Sequence, residues 1–504
     1  MKKIKVLFIM AIASIFMLTA CSQRDDYGSY EYLKAFKYEY KYDEKEEGYT
    51  LFISQPRYRE NASNRNPIEF SKDLVPFGQE ELVLPSYYEG KPIVRMNVDI
   101  LYGSILNQDK KIKHIVLPQK IKEIDEYAFS GCSSLTSITI PESVKEIGKQ
   151  AFSGCSSLTS ISIPSSVTEI GGGAFSGCSS LTSIKVDKNN PVYDSRNNCN
   201  AIIKSGSNTL IKGCANTVIP NGVQVIYYDA FYNCSSLTSI NIPESVTAIV
   251  DSFFGCSSLM SINVDENNPF YDSRDNCNAI IESKSNTLIE GCANTVIPNG
   301  VEVIGSDAFS NCSSLTSINI PESVKEIGYF AFYNCSSLTS IIVDSNNPVY
   351  DSRDNCNAII KSESNVLIRG CANTVIPNGV KVINDSAFSN CSLLTSITIP
   401  ESVEVINDSA FYNCSSLKSV RILGRLDSIG WDIFEGCSAL ETIELSVFGG
   451  CYNVRDYFYR CSNVYIFYSG TIEEFKEKFE FYENGKYIIH CSDGDINVSY
   501  WEEK

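Results

Sequence analysis

Apolar positions along this chain recur every 23 residues, and the recurrence governs most of its length. In Cys132-Ser-Ser-Leu135-Thr-Ser-Ile138-Thr-Ile140-Pro141-Glu-Ser-Val144-Lys-Glu-Ile147-Gly148-Lys-Gln-Ala151-Phe152 ten positions are apolar or special, and the next block repeats them from Cys155 to Phe175. Leu-x-x-Ile-x-Ile ends in the alternation of a strand with one buried face. The proline after it stops the ladder, because it has no N–H to donate. Val-x-x-Ile-Gly supplies a second apolar edge, with glycine expected to permit the bend that follows. Ala-Phe then fills the interior before the cysteine closes the unit. No unit can bury its own apolar edge, so neighbours must stack about 4.8 Å apart into a solenoid. The fold class expected is mostly β, a repeat solenoid with short strands and little helix.

A longer period lies on top of the first. Val-Asp-x-x-Asn-Pro-x-Tyr-Asp-Ser-Arg-x-Asn-Cys recurs with its cysteine at 199, 277 and 356, and Gly-Cys-Ala-Asn-Thr-Val-Ile-Pro follows with cysteines at 214, 292 and 371, giving three copies of about 78 residues. Each copy predicts a small hairpin, with Ile203 opposite Leu210 and Ile202 opposite Ile211 about Gly206-Ser207. The same register sets Cys199 opposite Cys214, Cys277 opposite Cys292 and Cys356 opposite Cys371. Cross-strand neighbours lie within reach of a disulfide. Each second cysteine also occupies the Leu place of the repeat, which suits a buried free thiol, so both readings stand.

The ends read as covers. Tyr38 to Ile53 predicts a hairpin turning before Gly48, and Thr471-x-x-Glu474 is a capping box that opens one helix, with Phe475 and Phe479 on one face. The expected divisions are a signal segment 1–20, a tether and β cap 21–80, the solenoid 81–460 and a C-terminal cap 461–504.

The pattern Ile-Pro-x-x-Val-x-x-Ile-Gly-x-x-Ala-Phe-x-x-Cys-x-x-Leu-x-x-Ile resembles the BspA-like leucine-rich repeat family of bacterial surface proteins, over about 380 residues. Departures are local: Phe253 stands where Ala is expected, Val250 replaces the Gly after Ile249, and Ile433-Phe434 and Val447-Phe448 mark a degenerating end. The resemblance implies adherence to host matrix or to other cells.

The N-terminus changes the picture of location. Met1-Lys2-Lys3-Ile4-Lys5 is basic, Val6 to Leu18 is apolar and too short for a comfortable span, and Leu18-Thr19-Ala20-Cys21 resembles a lipobox. Cys21 is therefore the expected lipidation site, and Ser22 to Asp26 resembles an acidic tag for export to the outer face. The expected location is the cell envelope, as an outer-membrane lipoprotein exposed at the surface and touching the membrane only through its lipid. Losing Lys2, Lys3 and Lys5 takes the formal charge from −18 to −21. Such a charge repels phosphates and argues against nucleic acid and anionic lipid as partners.

Candidate chemistry is sparse. The two histidines, His114 and His490, are far apart. No phosphate loop, nucleophile elbow or triad spacing occurs. Carboxylates such as Glu142, Glu244, Glu322 and Glu401 recur once per unit, as architecture does. The nine repeat cysteines from Cys132 to Cys414 form a line that cannot surround a metal and read as buried thiols. Asp265-x-Asn267-Asn268 and Tyr271-Asp272-x-x-Asp275, copied at 187 and 344, offer calcium oxygens, although Asx beside proline is an ordinary turn former. No enzyme, cofactor or resident metal is expected.

What remains is a face. The outward residues of successive strands, Ser137/Thr139, Ser160/Ser162, Ser239/Asn241, Ser317/Asn319, Ser396/Thr398 and Ser419/Arg421, form a polar ladder on the expected concave side. It carries no cluster of aromatics, so an extracellular protein is the first partner expected. A glycan ligand or a structural envelope role are the alternatives, and the chain is expected to be a monomer.

Overall fold

The computed structural model describes residues 35–44, 47–54, 74–76, 80–84, 86–98, 112–448, 452–453, 464–480 and 487–498. Cys21, the signal segment and the acidic tag lie outside the described residues. The chain winds into a parallel β-solenoid of about 15 turns of about 23 residues, with almost no helix, as the pattern predicts.

Most coils contribute two short strands; those that begin at Cys214, Cys292 and Cys371 contribute only the second. The first lies in Leu-x-Ser-Ile-x-Ile, for example Ser160–Ile163, and alternates exposed and buried residues along its length. It pairs in parallel with the same residues one coil on, Ser160 with Ser183 and Ile161 with Ile184. The second is the two-residue Glu146–Ile147, which pairs in register with Glu123–Ile124 and Glu169–Ile170. The Leu, Val, Ile, Ala and Phe of the repeat form a buried column between the two rows, in four successive clusters.

The turn after the second strand explains two sequence choices. The residue before each repeat cysteine adopts a left-handed angle, as at Gly154 (φ 73°) and Asn334 (φ 56°), and only glycine or asparagine fills that place among the described coils. The glycine after the second-row Ile serves differently from expectation. Gly148 has no left-handed angle; a Cβ there would lie 2.5 Å from Glu126 N in the adjacent coil, so close backbone approach excludes a side chain.

The turn phenylalanines stack ring on ring, as in Phe129–Phe152 (5.2 Å) and Phe152–Phe175 (5.3 Å). Here the structure corrects one reading. Phe253 stacks on Phe231 at 5.0 Å, and Ser252 O accepts from Phe231 N where an alanine carbonyl does so elsewhere. Ser252 thus holds the Ala place, Phe253 holds its normal Phe place, and this coil is one residue shorter.

The inserts are built into the second row. Ile202–Lys204 and Thr209–Lys212 form the hairpin, and its second strand pairs in parallel with Val225–Ile226 of the next coil. Ile203 pairs with Leu210 as expected, but a bulge places Ile202 opposite Lys212 rather than Ile211. The same bulge recurs in the other two copies.

At the N-terminal end, Ala35–Asp43 and Gly48–Ser54 form the expected hairpin, with Tyr40 opposite Leu51. It extends the second row through Lys91–Val98. At the other end Thr471 Oγ1 accepts from Glu474 N (3.2 Å) and Glu474 Oε2 accepts from Thr471 N (2.8 Å), a reciprocal capping box that opens Ile472–Lys478. Phe475 is buried beneath that helix, whereas the side chain of Phe479 lies outside the described residues.

Candidate functional site

The ladder residues face outward together. Ser137, Thr139, Ser160, Ser162, Ser239, Asn241, Ser317, Asn319, Ser396, Thr398 and Arg421 are exposed and Ser419 is half-buried, while the isoleucines between them are buried. In-register pairing sets Asn241 beside Asn263, Asn319 beside Ile342, and Thr398 beside Arg421. Small side chains here leave the strand surface low and even, a shape suited to a large ligand rather than a pocket-sized one.

Two features of this face were not expected. Counting from Cys214 in the Leu place, Val218 falls where Thr139 stands, and Val296 and Val375 match it in the other copies. These valines are 69%, 68% and 72% exposed, so every long repeat sets a branched apolar side chain in the polar ladder, and Ile342 adds another. The signal lay in the motif Cys-Ala-Asn-Thr-Val-Ile-Pro, had its register been carried through. The second feature is the C-terminal end. Arg421 Nε donates to Glu444 Oε2 at 2.6 Å, and the row continues through Phe467 to His490. The Phe467 and His490 rings stack at 4.8 Å, with Tyr465 alongside, and His490 Nδ1 lies 2.8 Å from Asp495 Oδ1. The ladder therefore ends on aromatics, contrary to the expectation that it has none.

The cysteines are structural. Cys155 Sγ donates to Phe129 O (3.1 Å), Cys178 to Phe152 O (3.2 Å) and Cys335 to Phe309 O (3.2 Å), so each thiol satisfies a carbonyl of the preceding coil. Burial pushes the Cys178 and Cys335 thiols up to about 12, which suppresses the reactive thiolate.

The disulfide reading of the inserts does not match the structure. Cys199, Cys214, Cys277, Cys292, Cys356 and Cys371 are buried free thiols. The bulge moves each pair out of register. Cys214 Sγ instead meets Asn200 O at 3.3 Å and receives the Thr217 hydroxyl, while Cys199 Sγ faces Ala201 O.

Of the candidate calcium oxygens, those of Asp272 and Asn268 are engaged internally, while Asp275 is exposed. Asp272 accepts from Arg274 Nε (2.7 Å) and Nη2 (2.7 Å) and from Ser283 Oγ (2.7 Å). Burial pushes its carboxyl up, but these bonds outweigh it and hold the group below its ordinary value. Asn268 donates to Pro243 O and Val246 O and accepts from Phe270 N and Tyr271 N, all at 2.9 Å. Asp194 and Asp351 repeat the first arrangement, Asn190 and Asn347 the second. Among the described residues no group of three His, Cys, Asp or Glu is placed to hold a metal ion, and no helix is long and apolar enough to cross a membrane.

Parallel strand rows, a buried phenylalanine column and one cysteine per coil define a leucine-rich repeat solenoid. The profile of the BspA type leucine rich repeat region matches in six copies, over residues 103–205, 195–292, 279–366 and 367–486, and the chain belongs to that family. Its fold is a repeat scaffold of the kind used for protein interaction and surface roles. Among solved structures it is similar to a leucine rich cell surface protein from Faecalibacterium prausnitzii A2-165, at 23% identity over 92% of this chain and 100% of that one (TM-score 0.43). A leucine-rich repeat protein from Bacteroides ovatus is similar at 24% identity over 90% and 98% (TM-score 0.30), and the pneumococcal vaccine antigen PcpA at 16% over 91% and 97% (TM-score 0.32). No curated relative matches the chain.

Proposed function

We propose that this chain is an adhesion protein, held at the outer face of the cell envelope by a lipid on Cys21, that binds extracellular macromolecules along its ladder face. The observation that carries the reading is the ladder itself. Small polar side chains recur along the first-row strands, with exposed Val218, Val296 and Val375 in the coils between those strands. Such a face provides hydrogen-bonding groups throughout and a few apolar anchors, the division of labour found in protein-binding surfaces. Membership of the BspA type family supports the surface role, and the Leu18-Thr19-Ala20-Cys21 segment supports the anchor. No catalytic step is assigned: carboxylates recur once per coil and the thiols are buried.

Capture of glycan chains is the second reading. It draws on Tyr465 and Phe467 at the end of the ladder, whose exposed rings suit stacking on sugar faces.

Two measurements test the proposal. Purified chain applied to matrix proteins, glycans and whole cells should bind at least one protein class saturably; binding to glycans alone would favour the second reading, and no binding would defeat adhesion. Cys21→Ala should move the chain from the membrane fraction to the soluble one with its thermal unfolding unchanged. Retention in the membrane would remove the lipid anchor from the account.

A further inference from the structure

The three long repeats create three junctions at which the phenylalanine column breaks, and the first differs from the others. At each break the insert glycine packs on the next ring: a Cβ on Gly213, Gly291 or Gly370 would lie 2.3, 2.2 or 2.1 Å from Phe231, Phe309 or Phe388. The residue before that glycine is Lys212, Glu290 and Arg369 in turn, so every junction places an ionisable side chain at the break.

The third junction holds its cation with backbone carbonyls, although Arg369 Nε has no partner. Arg369 donates to Ser386 O (3.1 Å) and Ser389 O (3.3 Å) and reaches Cys391 Sγ. Tyr329 and Phe330 stand beside that junction. At the second, burial raises the Glu290 carboxyl well above its usual range, with Asp307 and Asp251 adding to the push, which favours its neutral form.

The first junction has neither remedy. Lys212 is only 5% exposed, and among the described residues it makes no hydrogen bond or ion pair within contact distance. Gly172 and Gly173 stand where the third junction has Tyr329 and Phe330, and a cavity of about 470 Å³ opens there, lined by Lys212, Ser176 and Tyr193 among others. Ser176 Oγ is buried beside the Asp229 carboxyl and acts on it as a hydrogen-bond donor. The Tyr193 oxygen accepts from Ile170 N at 3.0 Å, so its own proton stays available to donate. Tyr227 and Tyr228 complete the lining with exposed rings. Asp229 also lines the cavity but forms no ion pair with Lys212; burial, with Asp251 adding, holds its carboxyl above the ordinary range, offset in part by the field of Lys212 and by the Ser176 hydroxyl.

We infer that this cavity binds a carboxylate-bearing sugar, of the uronic or sialic acid class. Lys212 makes no ion pair within this cavity, and an anion of the ligand would supply one by a charge-assisted hydrogen bond. The volume lies within the range of small-ligand sites. Two tyrosine rings suit the apolar face of a sugar, while the available Tyr193 proton suits one of its oxygens. No ladder residue lines the cavity, so this site is separate from the proposed adhesion face and stands or falls independently of it.

The test is calorimetric titration of the full chain, in detergent, with glucuronic acid, N-acetylneuraminic acid, glucose, acetate and inorganic phosphate. At least one acidic sugar should bind, at least about tenfold more tightly than glucose or acetate. Lys212→Gln should weaken that binding about tenfold or more while keeping the side-chain stem. Gly172→Tyr should abolish it without lowering thermal stability, because a Cβ at Gly172 meets nothing within 4 Å and Tyr329 already occupies the matching place in the third repeat. Absence of binding by either acidic sugar at about 10 mM overturns the inference. So does unchanged binding in both variants, or acetate or phosphate binding as tightly as the sugars.

Discussion

Asp125 and Glu146 sit where the second strand row brings like charges together. Glu123, Glu146 and Glu169 occupy successive register positions, with Arg95 3.2 Å from Glu123 at the row's start. Burial, with Glu123 adding, raises the Asp125 carboxyl to about 7, and burial with Glu123 and Glu169 raises Glu146. An acid whose folded-state value exceeds its unfolded one of about 3.9 favours the native state when protonated, so this end of the array loses stability as pH rises from about 4 to 7. Asp194, Asp272 and Asp351 have the opposite sign: burial raises them, their arginine and serine partners more than reverse it, and their contribution is lost as pH falls below about 4. Asp125→Asn should therefore raise the melting temperature by about 2–4 °C at pH 8 and change it little at pH 4. Equal shifts at both pH values would show that the carboxyl is not protonated through that window. None of this was legible in the sequence, where Asp125 is one acid among sixty. Its shift arises first from burial and then from Glu123 beside it, neither of which the residue pattern marks.

The insert is the element on which sequence and structure part. Its hairpin was legible from the mirrored apolar residues, and Ile203 pairs with Leu210 as that symmetry requires. The bulge was not, because nothing in the apolar pattern marks an unpaired Ile211, and the disulfide pairing fell with the register. What fixes the insert is Asn190, Asn268 and Asn347. Each makes four hydrogen bonds, two to carbonyls of the preceding coil and two from the amides that lead into the hairpin. Asn268→Ala leaves those four groups unpaired at a buried site and should cost about 2–4 kcal/mol. In hydrogen exchange the amides of Phe270 and Tyr271 should lose protection while those of the C-terminal coils keep it. An array responds locally, since each coil contacts only its neighbours. Uniform loss along the chain would contradict that.

Across the whole molecule the 23-residue period sufficed for the solenoid, because every coil repeats one solution to the same packing problem. The cysteine column, the two strand rows and the outward ladder all follow from it. The period says least where it is interrupted. Val218, Val296 and Val375, the buried charges at 212, 290 and 369, and the cavity opened by Gly172 and Gly173 all belong to the junctions between long repeats. The functional proposals rest on these departures, as the coils supply a regular frame and the junctions supply individual side chains.

The adhesion reading turns on the ladder valines, and one comparison tests it most directly. The triple substitution V218D/V296D/V375D places three charges on the face at positions already solvent-exposed, so folding should be retained, as circular dichroism and thermal unfolding would show. If the ladder is the binding face, the triple variant should bind the matrix protein or cell recognised by the wild type at least about tenfold more weakly, a loss of roughly 1.4 kcal/mol or more. Undiminished binding by a folded triple variant would contradict the account and move the site off this face.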